Sequence, residues 1–164
     1  MKKFIFLLAL VLCLSSLSGI AVIAEDDVPS PSVEIAIYTV PMKATVSILY
    51  AIEADGYMSF DELRLVADKG SGEEFVAPSG VLTKDGVRYI VFEYSNLSAS
   101  EMDKRVTACV EYNGNRGKAV SYSVADFAAS YANGNGSEKN KAMVAAMIAY
   151  GDAVKAMAEA KTAE

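Results

Sequence analysis

From Val33 onward, apolar and polar residues alternate along most of the chain, which is the period of a half-buried β-strand. Asp85-Gly86 and the loop 113–117 separate pairs of such segments, and their glycines suit hairpin turns. Seven to nine short strands with turn signals between them predict an antiparallel sandwich. The predicted strands span residues 33–40, 44–52, 57–60, 63–67, 73–77, 81–83, 87–94, 105–112 and 118–124.

One short segment, 96–104, interrupts the alternation. Ser98 and Glu101 have the spacing of a capping box, in which each residue satisfies a backbone N–H of the other end. This spacing predicts a single helical turn that bridges the sandwich.

After residue 122 the apolar period changes to that of a helix. Ser123 and Asp126 have capping-box spacing, and Asn133-Gly134 ends the first predicted helix. In the second predicted helix an apolar stripe steps by four and three residues and is expected to pack against the molecule's own sheet. The stripe consists of Met143, Met147, Tyr150, Val154 and Met157.

Gly151 lies beside that stripe in the middle of the second helix. A glycine there costs about 1 kcal/mol of helix stability relative to alanine. Its presence predicts a close approach of the backbone to another element, either the 124–133 helix or a sheet edge. Burial of the stripe against another chain is the alternative, and it would make the protein a structural or assembly unit.

Together these patterns predict one α+β, mainly β, domain: an antiparallel β-sandwich with a C-terminal two-helix lid. The strands are expected within residues 33–122, and the helices, packed on the same domain, within residues 123–164. Residues 25–32 are acidic and contain prolines, which predicts a short flexible lead.

Residues 1–24 have the features of a cleaved signal peptide. Lys2 and Lys3 precede a long apolar run, and Val22-Ile23-Ala24 supplies the small residues that signal peptidase prefers. A retained anchor is the alternative. We expect cleavage, a secreted extracellular protein, and no membrane association after cleavage.

Charge narrows the possible partners. Removing Lys2 and Lys3 from the 15 basic residues leaves 13 against 21 acidic residues, a net charge of −8. Nucleic acid and anionic membranes both require a basic footprint, so neither is an expected partner.

The chain has no histidine, which removes the Ser-His-Asp and Cys-His schemes and the common zinc sites. Cys13 is expected to leave with the signal peptide, so Cys109 remains alone and no internal disulfide is predicted. Carboxylate chemistry and calcium bound by oxygen ligands stay possible. No cofactor is predicted.

The segment "EADGYMSFDEL" (53–63) copies the second half of an EF-hand loop, with Asp55, Gly56, Ser59 and Glu62 at matching positions. The first ligand position falls on Ala51, which has no oxygen side chain, and a strand-like segment precedes the loop. The interpretation is therefore a turn followed by a strand through Tyr57–Phe60, and no metal ligand is assigned.

Candidate site residues are few. The acidic pairs Asp61-Glu62 and Glu73-Glu74 would suit a small glycan hydrolase in principle, but the chain has no Trp for stacking a sugar, and solvated loop charges are the preferred interpretation. No catalytic residue is assigned. Tyr57 and Tyr89 lie near turns and are the candidate ligand contacts.

Two stretches of the C-terminal half carry a resemblance. "SASEMDKRVTACVEYNGNRGKAVSYSVADFAASY" and "KNKAMVAAMIAYGDAV" resemble an uncharacterised β-sandwich-plus-two-helix module in secreted and surface proteins of anaerobic gut clostridia. The resemblance covers about 98–155, and "DFAASYA" stands where the module has "DYAYRVL". Its matching positions are Glu101-Met102, Tyr122-Ser123-Val124, Asp126-Phe127, Lys141-Ala142, Val144, Ala146-Met147-Ile148, Tyr150-Gly151 and Ala153.

The resemblance implies a non-catalytic unit with no active-site residues. The expected function is therefore that of a secreted binding or interaction module, whose partner is an unknown extracellular protein or glycan. The assembly unit and the carboxylate-dependent hydrolase remain the alternatives.

Overall fold

The computed structural model describes residues 33–41, 43, 45–54, 56 and 58–162, all of which belong to one compact unit, 31–164. Its strands form two antiparallel sheets. The first sheet has the order β1-β2-β6-β5, and the second has the order β4-β3-β7-β8, with β9 also paired to β7. The strands are β1 (Ile37–Thr39), β2 (Ile48–Glu53), β3 (Leu63–Asp68), β4 (Glu73–Val76), β5 (Gly80–Lys84), β6 (Val87–Tyr94), β7 (Val106–Tyr112), β8 (Asn115–Arg116) and β9 (Val120–Tyr122).

The core lies between the two sheets because alternate residues of each strand point inward. The first sheet contributes Ile48, Tyr50 and Ile52 from β2 and Ile90, Phe92 and Tyr94 from β6. The second contributes Leu63, Leu65 and Ala67 from β3 and Val106, Ala108 and Val110 from β7. The fold is therefore mainly β, a sandwich with two C-terminal helices, as the alternation predicts.

Both predicted hairpins are present. Lys84 pairs with Val87 across Asp85-Gly86, and Tyr112 pairs with Asn115 across Asn113-Gly114. Positive φ angles of 52° at Asp85 and 81° at Gly86 are those of a type I′ turn, whose twist matches the flanking strands. Asn113 and Gly114 repeat this conformation at 50° and 76°.

The predicted strand through 57–60 is wrong. Phe60–Glu62 forms a 3-10 turn that leads directly into β3, and residues 58 and 59 are irregular. Period-two alternation over four residues is too short a signal to separate a strand from a turn.

Two helices follow the strands: α1 (Val124–Ala132) and α2 (Glu138–Thr162). Ser123 caps α1, since its Oγ accepts from the Asp126 N–H at 3.0 Å while Asp126 accepts from the Ser123 N–H at 3.0 Å. The capping box predicted from the sequence is therefore confirmed.

The two helices pack against the sandwich at the 3-10 turn Ala99–Glu101, which connects β6 to β7. The Ser98–Glu101 spacing predicts this turn. Met102, directly after this turn, is only 5% exposed and belongs to the core. The Ala125 N–H of α1 donates to the Met102 carbonyl oxygen at 3.0 Å. Helix α2 packs on the same turn and on α1.

The close approach predicted at Gly151 exists, but its neighbour is neither α1 nor a sheet edge. A Cβ built on Gly151 would lie 2.8 Å from the Ala99 carbonyl oxygen and 2.9 Å from the Met102 sulfur. The 3-10 turn is therefore what the glycine accommodates.

The predicted buried stripe is only partly right, since Met147 and Val154 are half-buried whereas its other three members are exposed. Tyr150 is 63% exposed, Met143 47% and Met157 73%. The face that packs inward contains buried Val144 and Gly151 and half-buried Met147, Ile148 and Val154. Consecutive helical residues are about 100° apart, so seating Gly151 against the turn places Tyr150 toward solvent.

The predicted signal peptide (1–24) and flexible lead (25–32) lie outside the described residues. Within the part of the chain that the structure describes, no helix has the length and apolar character needed to cross a membrane.

Candidate functional site

A groove lies where the chain crosses from the second sheet to the first. The crossing, residues 77–79, connects β4 to β5, and Ser79 anchors it by donating its N–H and Oγ to the Val91 carbonyl oxygen at 2.7 and 3.0 Å. Two adjoining cavities of about 490 and 500 Å³ share Asp61, Leu63 and Ala77. We call them together the Phe60–Phe75 groove; their other lining residues are Phe60, Glu62, Arg64, Phe75, Val76, Pro78, Ser79, Gly80, Glu111, Asn113 and Gly114.

Two exposed aromatic side chains mark this groove. Phe75, on β4 at the end of its sheet, is 56% exposed, and Phe60, in the 3-10 turn before β3, is 38% exposed. The Arg64 guanidinium lies 4.5 Å from the centre of the Phe75 ring, a cation–π contact. Phenylalanine and arginine are both enriched in protein interfaces, and arginine is among the residues that contribute most to binding energy there.

A network of charged side chains forms hydrogen bonds with Arg64. Glu111, only 5% exposed, accepts hydrogen bonds from Arg64 Nε at 2.8 Å and from Arg116 Nε at 3.0 Å. Arg116 also holds both carboxylate oxygens of Glu73, at 2.7 and 2.9 Å. Hydrogen bonds from Arg64 and then Arg116 lower the pKa of Glu111, and those from Arg116 lower the pKa of Glu73.

The groove therefore contains a hydrogen-bonded arginine and has carboxylates at its edge. Arg64 is oriented by the buried, ionised carboxylate of Glu111 and lies over the Phe75 ring. Asp61 and Glu62 are exposed in the 3-10 turn and add negative charge to the same groove.

The two acidic pairs weighed from the sequence have different surroundings. Glu73 and Glu74 are neighbours on a strand and point to opposite faces. Glu73 binds Arg116, whereas Glu74 accepts from the Tyr94 hydroxyl at 3.1 Å and from Asn96 Nδ2 at 2.8 and 2.9 Å. Only Asp61 and Glu62 line the groove.

Of the two candidate tyrosines, the structure describes Tyr89, which does not line the groove. Tyr57 lies outside the described residues. Tyr89 is half-buried on the outer face of the first sheet, where it pairs with Glu53 of β2 and Leu82 of β5. Its assignment as a ligand contact stays a prediction.

The surroundings of the EF-hand-like segment are those of a β-connection. Strand β2 ends at Glu53 and the 3-10 turn Phe60–Glu62 leads into β3, whereas an EF-hand loop joins two helices. Among the described residues, no three Cys, Asp or Glu side chains are grouped to hold a metal ion.

Cys109 is half-buried opposite Val66 on the outer face of the second sheet. Burial raises the pKa of its thiol. The thiolate that a nucleophile requires is therefore disfavoured at neutral pH.

Phe60, Arg64 and Phe75 are absent from the sequence-based candidates. In "EEFV", glutamate occupies both strand faces, so alternation does not tell which way Phe75 points. Comparison with protein families, curated proteins and solved structures finds no match to this chain.

Proposed function

We propose that the protein is a secreted, non-catalytic binding module, and that the Phe60–Phe75 groove is its binding surface. The observation that carries this proposal is an exposed Phe75 ring held against an arginine that Glu111 already orients. Binding then requires little reordering of these side chains, which lowers the entropy cost of association.

An extracellular protein segment is the partner class that this surface favours. Arginine and aromatic residues are enriched in protein interfaces, and phenylalanine offers a ring without a hydroxyl for sugar hydrogen bonds. The acidic rim at Asp61 and Glu62 complements a basic segment. The alternative partner is a glycan, which the same rings and carboxylates would bind, and the experiment below distinguishes the two.

The experiment applies the protein beginning at Glu25 to arrays of extracellular proteins, peptides and glycans. The double variant Phe60→Ala/Phe75→Ala is compared with Val81→Ala/Val87→Ala, which removes apolar groups of similar exposure (43% and 38%) from the β5–β6 hairpin. The groove variant is expected to weaken binding at least about tenfold, and the hairpin variant to bind like the wild type.

Equal binding by the groove variant and the wild type would show that the groove is not the binding surface. Binding confined to sugars would identify a glycan partner. If the protein hydrolyses a bound glycan and the variant Asp61→Asn/Glu62→Gln does not, the protein is a glycan hydrolase and the proposal of a non-catalytic binding module is wrong.

Secretion is proposed from residues 1–24 and has its own test. Expression of the full chain with its natural N-terminus should yield an extracellular product whose first residue is Glu25. A product that retains Lys2 and Lys3 in the membrane fraction would favour the anchor.

A further inference from the structure

The outward face of helix α2 is apolar along most of its length. Met143, Tyr150 and Met157 recur every seven residues and are 47%, 63% and 73% exposed. Beside them runs a row of exposed alanines in steps of four and three, Ala142, Ala146, Ala149, Ala153, Ala156 and Ala160. We call these nine residues the outer face of α2.

This pattern is the reverse of what a surface helix normally shows. An amphipathic helix buries its apolar stripe and turns polar residues outward. The inward side of α2 is already occupied, since Gly151 contacts the 3-10 turn and Lys155 Nζ binds Asp103 at 2.5 Å. All nine residues of the outer face are exposed in the described part of the chain, although Ala149 also lines a cavity shared with Ala128 and Ala132 of α1.

We propose that this face pairs with the same face of a second copy of the chain, with the two α2 helices antiparallel about a two-fold axis. The row Met143–Tyr150–Met157 is self-complementary in that arrangement because the two methionines lie seven residues on either side of Tyr150. Met143 then lies opposite Met157 of the second copy, and the two Tyr150 side chains lie near the axis. A two-fold interface requires this kind of symmetry.

The alanines set how closely the helices approach. Their four-three spacing is that of a coiled-coil seam, and side chains this small allow an interaxial distance of about 8 Å. At that distance the Met and Tyr side chains reach across the partner helix.

The expected dimer is a weak one. A helix of 25 residues is about 37 Å long, and a face about 10 Å wide gives roughly 400 Å² of projected surface per copy. This is below the 800 Å² or so of a standard interface, so association is expected in the micromolar range or weaker.

Sedimentation of the protein from about 1 to about 500 µM tests the pairing with two matched variants. Ala153→Glu places a charged side chain in the seam, whereas Ala158→Glu makes the same change at an exposed position off the outer face. The wild type and Ala158→Glu should approach twice the monomer mass together, and Ala153→Glu should stay monomeric. A wild type that is monomeric throughout, or a mass increase unaffected by Ala153→Glu, overturns the proposal.

Disulfide trapping in a Cys109→Ala background tests the orientation. Tyr150→Cys should form a covalent dimer under mild oxidation, because the two positions meet at the axis. Met143→Cys should not, since its counterpart lies 14 residues, or about 21 Å, away along the pair, whereas Met143→Cys combined with Met157→Cys should. Efficient trapping by Met143→Cys alone would show a parallel pair and contradict the proposed arrangement. Neither experiment depends on the Phe60–Phe75 groove.

Discussion

The carbonyl oxygen of Ala99 lies directly against the backbone of Gly151, so close that a Cβ at Gly151 would approach it to 2.8 Å. Real Cβ atoms rarely come this near to any heavy atom, and the neighbour is main chain, which cannot rotate away. The 3-10 turn and α2 are therefore fitted to each other at one residue. This contact and the packing on α1 together position the 25-residue helix.

Replacing Gly151 with alanine is expected to destabilise the protein. Alanine favours the helix by about 1 kcal/mol, but the clash with Ala99 and Met102 forces a backbone shift that costs about 1–3 kcal/mol. Urea denaturation of Gly151→Ala should therefore show a lower free energy of unfolding than the wild type. Ala145→Gly, at an exposed site of the same helix, is the control and should lose about 1 kcal/mol. A more stable Gly151→Ala would contradict the close fit.

Glu101 makes the 3-10 turn sensitive to acid. It accepts from the Ser98 N–H at 3.0 Å, from Lys104 at 3.1 Å and from Lys69 at 3.2 Å. These hydrogen bonds, that of the Ser98 N–H first, lower its pKa from 4.5 to about 2. A depressed folded-state pKa adds stability above the unfolded-state pKa, and this stability is lost as pH falls from about 4.5 toward about 2.

Glu101→Gln is accordingly expected to lower the free energy of unfolding by roughly 1–3 kcal/mol at pH 7 and by progressively less below about pH 4.5. Thermal unfolding at a series of pH values measures this difference. Glu34→Gln removes an exposed carboxylate and is the control, whose free energy of unfolding at pH 7 should be close to that of the wild type. A difference in the free energy of unfolding between Glu101→Gln and the wild type that stays constant from pH 7 to pH 3 would contradict this role of Glu101.

Alanine substitution is expected to affect stability differently at two glycines of the β5–β6 hairpin, Gly86 in the type I′ turn and Gly80 in the strand. Gly86 has φ 81°, a region that costs roughly 1–2 kcal/mol for an L-residue. Gly86→Ala should therefore destabilise the β5–β6 hairpin. Gly80→Ala, on the same strand pair, meets no atom within 4 Å and should be neutral or stabilising by up to about 1 kcal/mol. Chemical denaturation compares the two, and equal losses would argue against the turn geometry.

The sandwich was predictable because its signals are local. Alternation in β6, the Asp85-Gly86 turn and the Ser123–Asp126 capping box each depend on a few consecutive residues, and all three have the predicted structure. Which face of α2 packs inward does not depend on local sequence alone. Met143, Tyr150 and Met157 form as good a stripe as Val144, Ile148 and Gly151. The choice between them depends on contacts with the 3-10 turn, with α1 and with the core, none of which the helix sequence contains.

The groove was unpredictable for a related reason. Phe60 lies in a turn that sequence alternation assigned to a strand, and Phe75 follows two glutamates that occupy both faces. Arg64 is held by Glu111 of β7, 47 residues away along the chain, and Glu111 in turn binds Arg116 of β8. Asp61 and Glu62 were noticed as an acidic pair, but their aromatic neighbours come together only after the sheets have paired.

Two buried tyrosines offer the sharpest comparison of hydrogen bonding in the core. Tyr50 and Tyr94 are both nearly fully buried, on neighbouring strands of the first sheet. The Tyr94 hydroxyl donates to Glu74 at 3.1 Å, whereas the Tyr50 hydroxyl has no hydrogen-bond partner among the described residues. A buried polar group without a partner costs about 1–3 kcal/mol, and a hydrogen bond to a charged acceptor contributes a similar amount.

The same substitution should therefore have opposite effects at the two positions. Tyr50→Phe removes an unpaired hydroxyl and is expected to raise the free energy of unfolding by about 1 kcal/mol, whereas Tyr94→Phe should lower it by about 1–3 kcal/mol. Urea denaturation at neutral pH measures both, and the unchanged ring volume keeps cavity effects out of the comparison. Burial raises the pKa of both phenols, so each is protonated in the folded state and neither result depends on ionisation. A destabilised Tyr50→Phe would mean that this hydroxyl is hydrogen-bonded in solution.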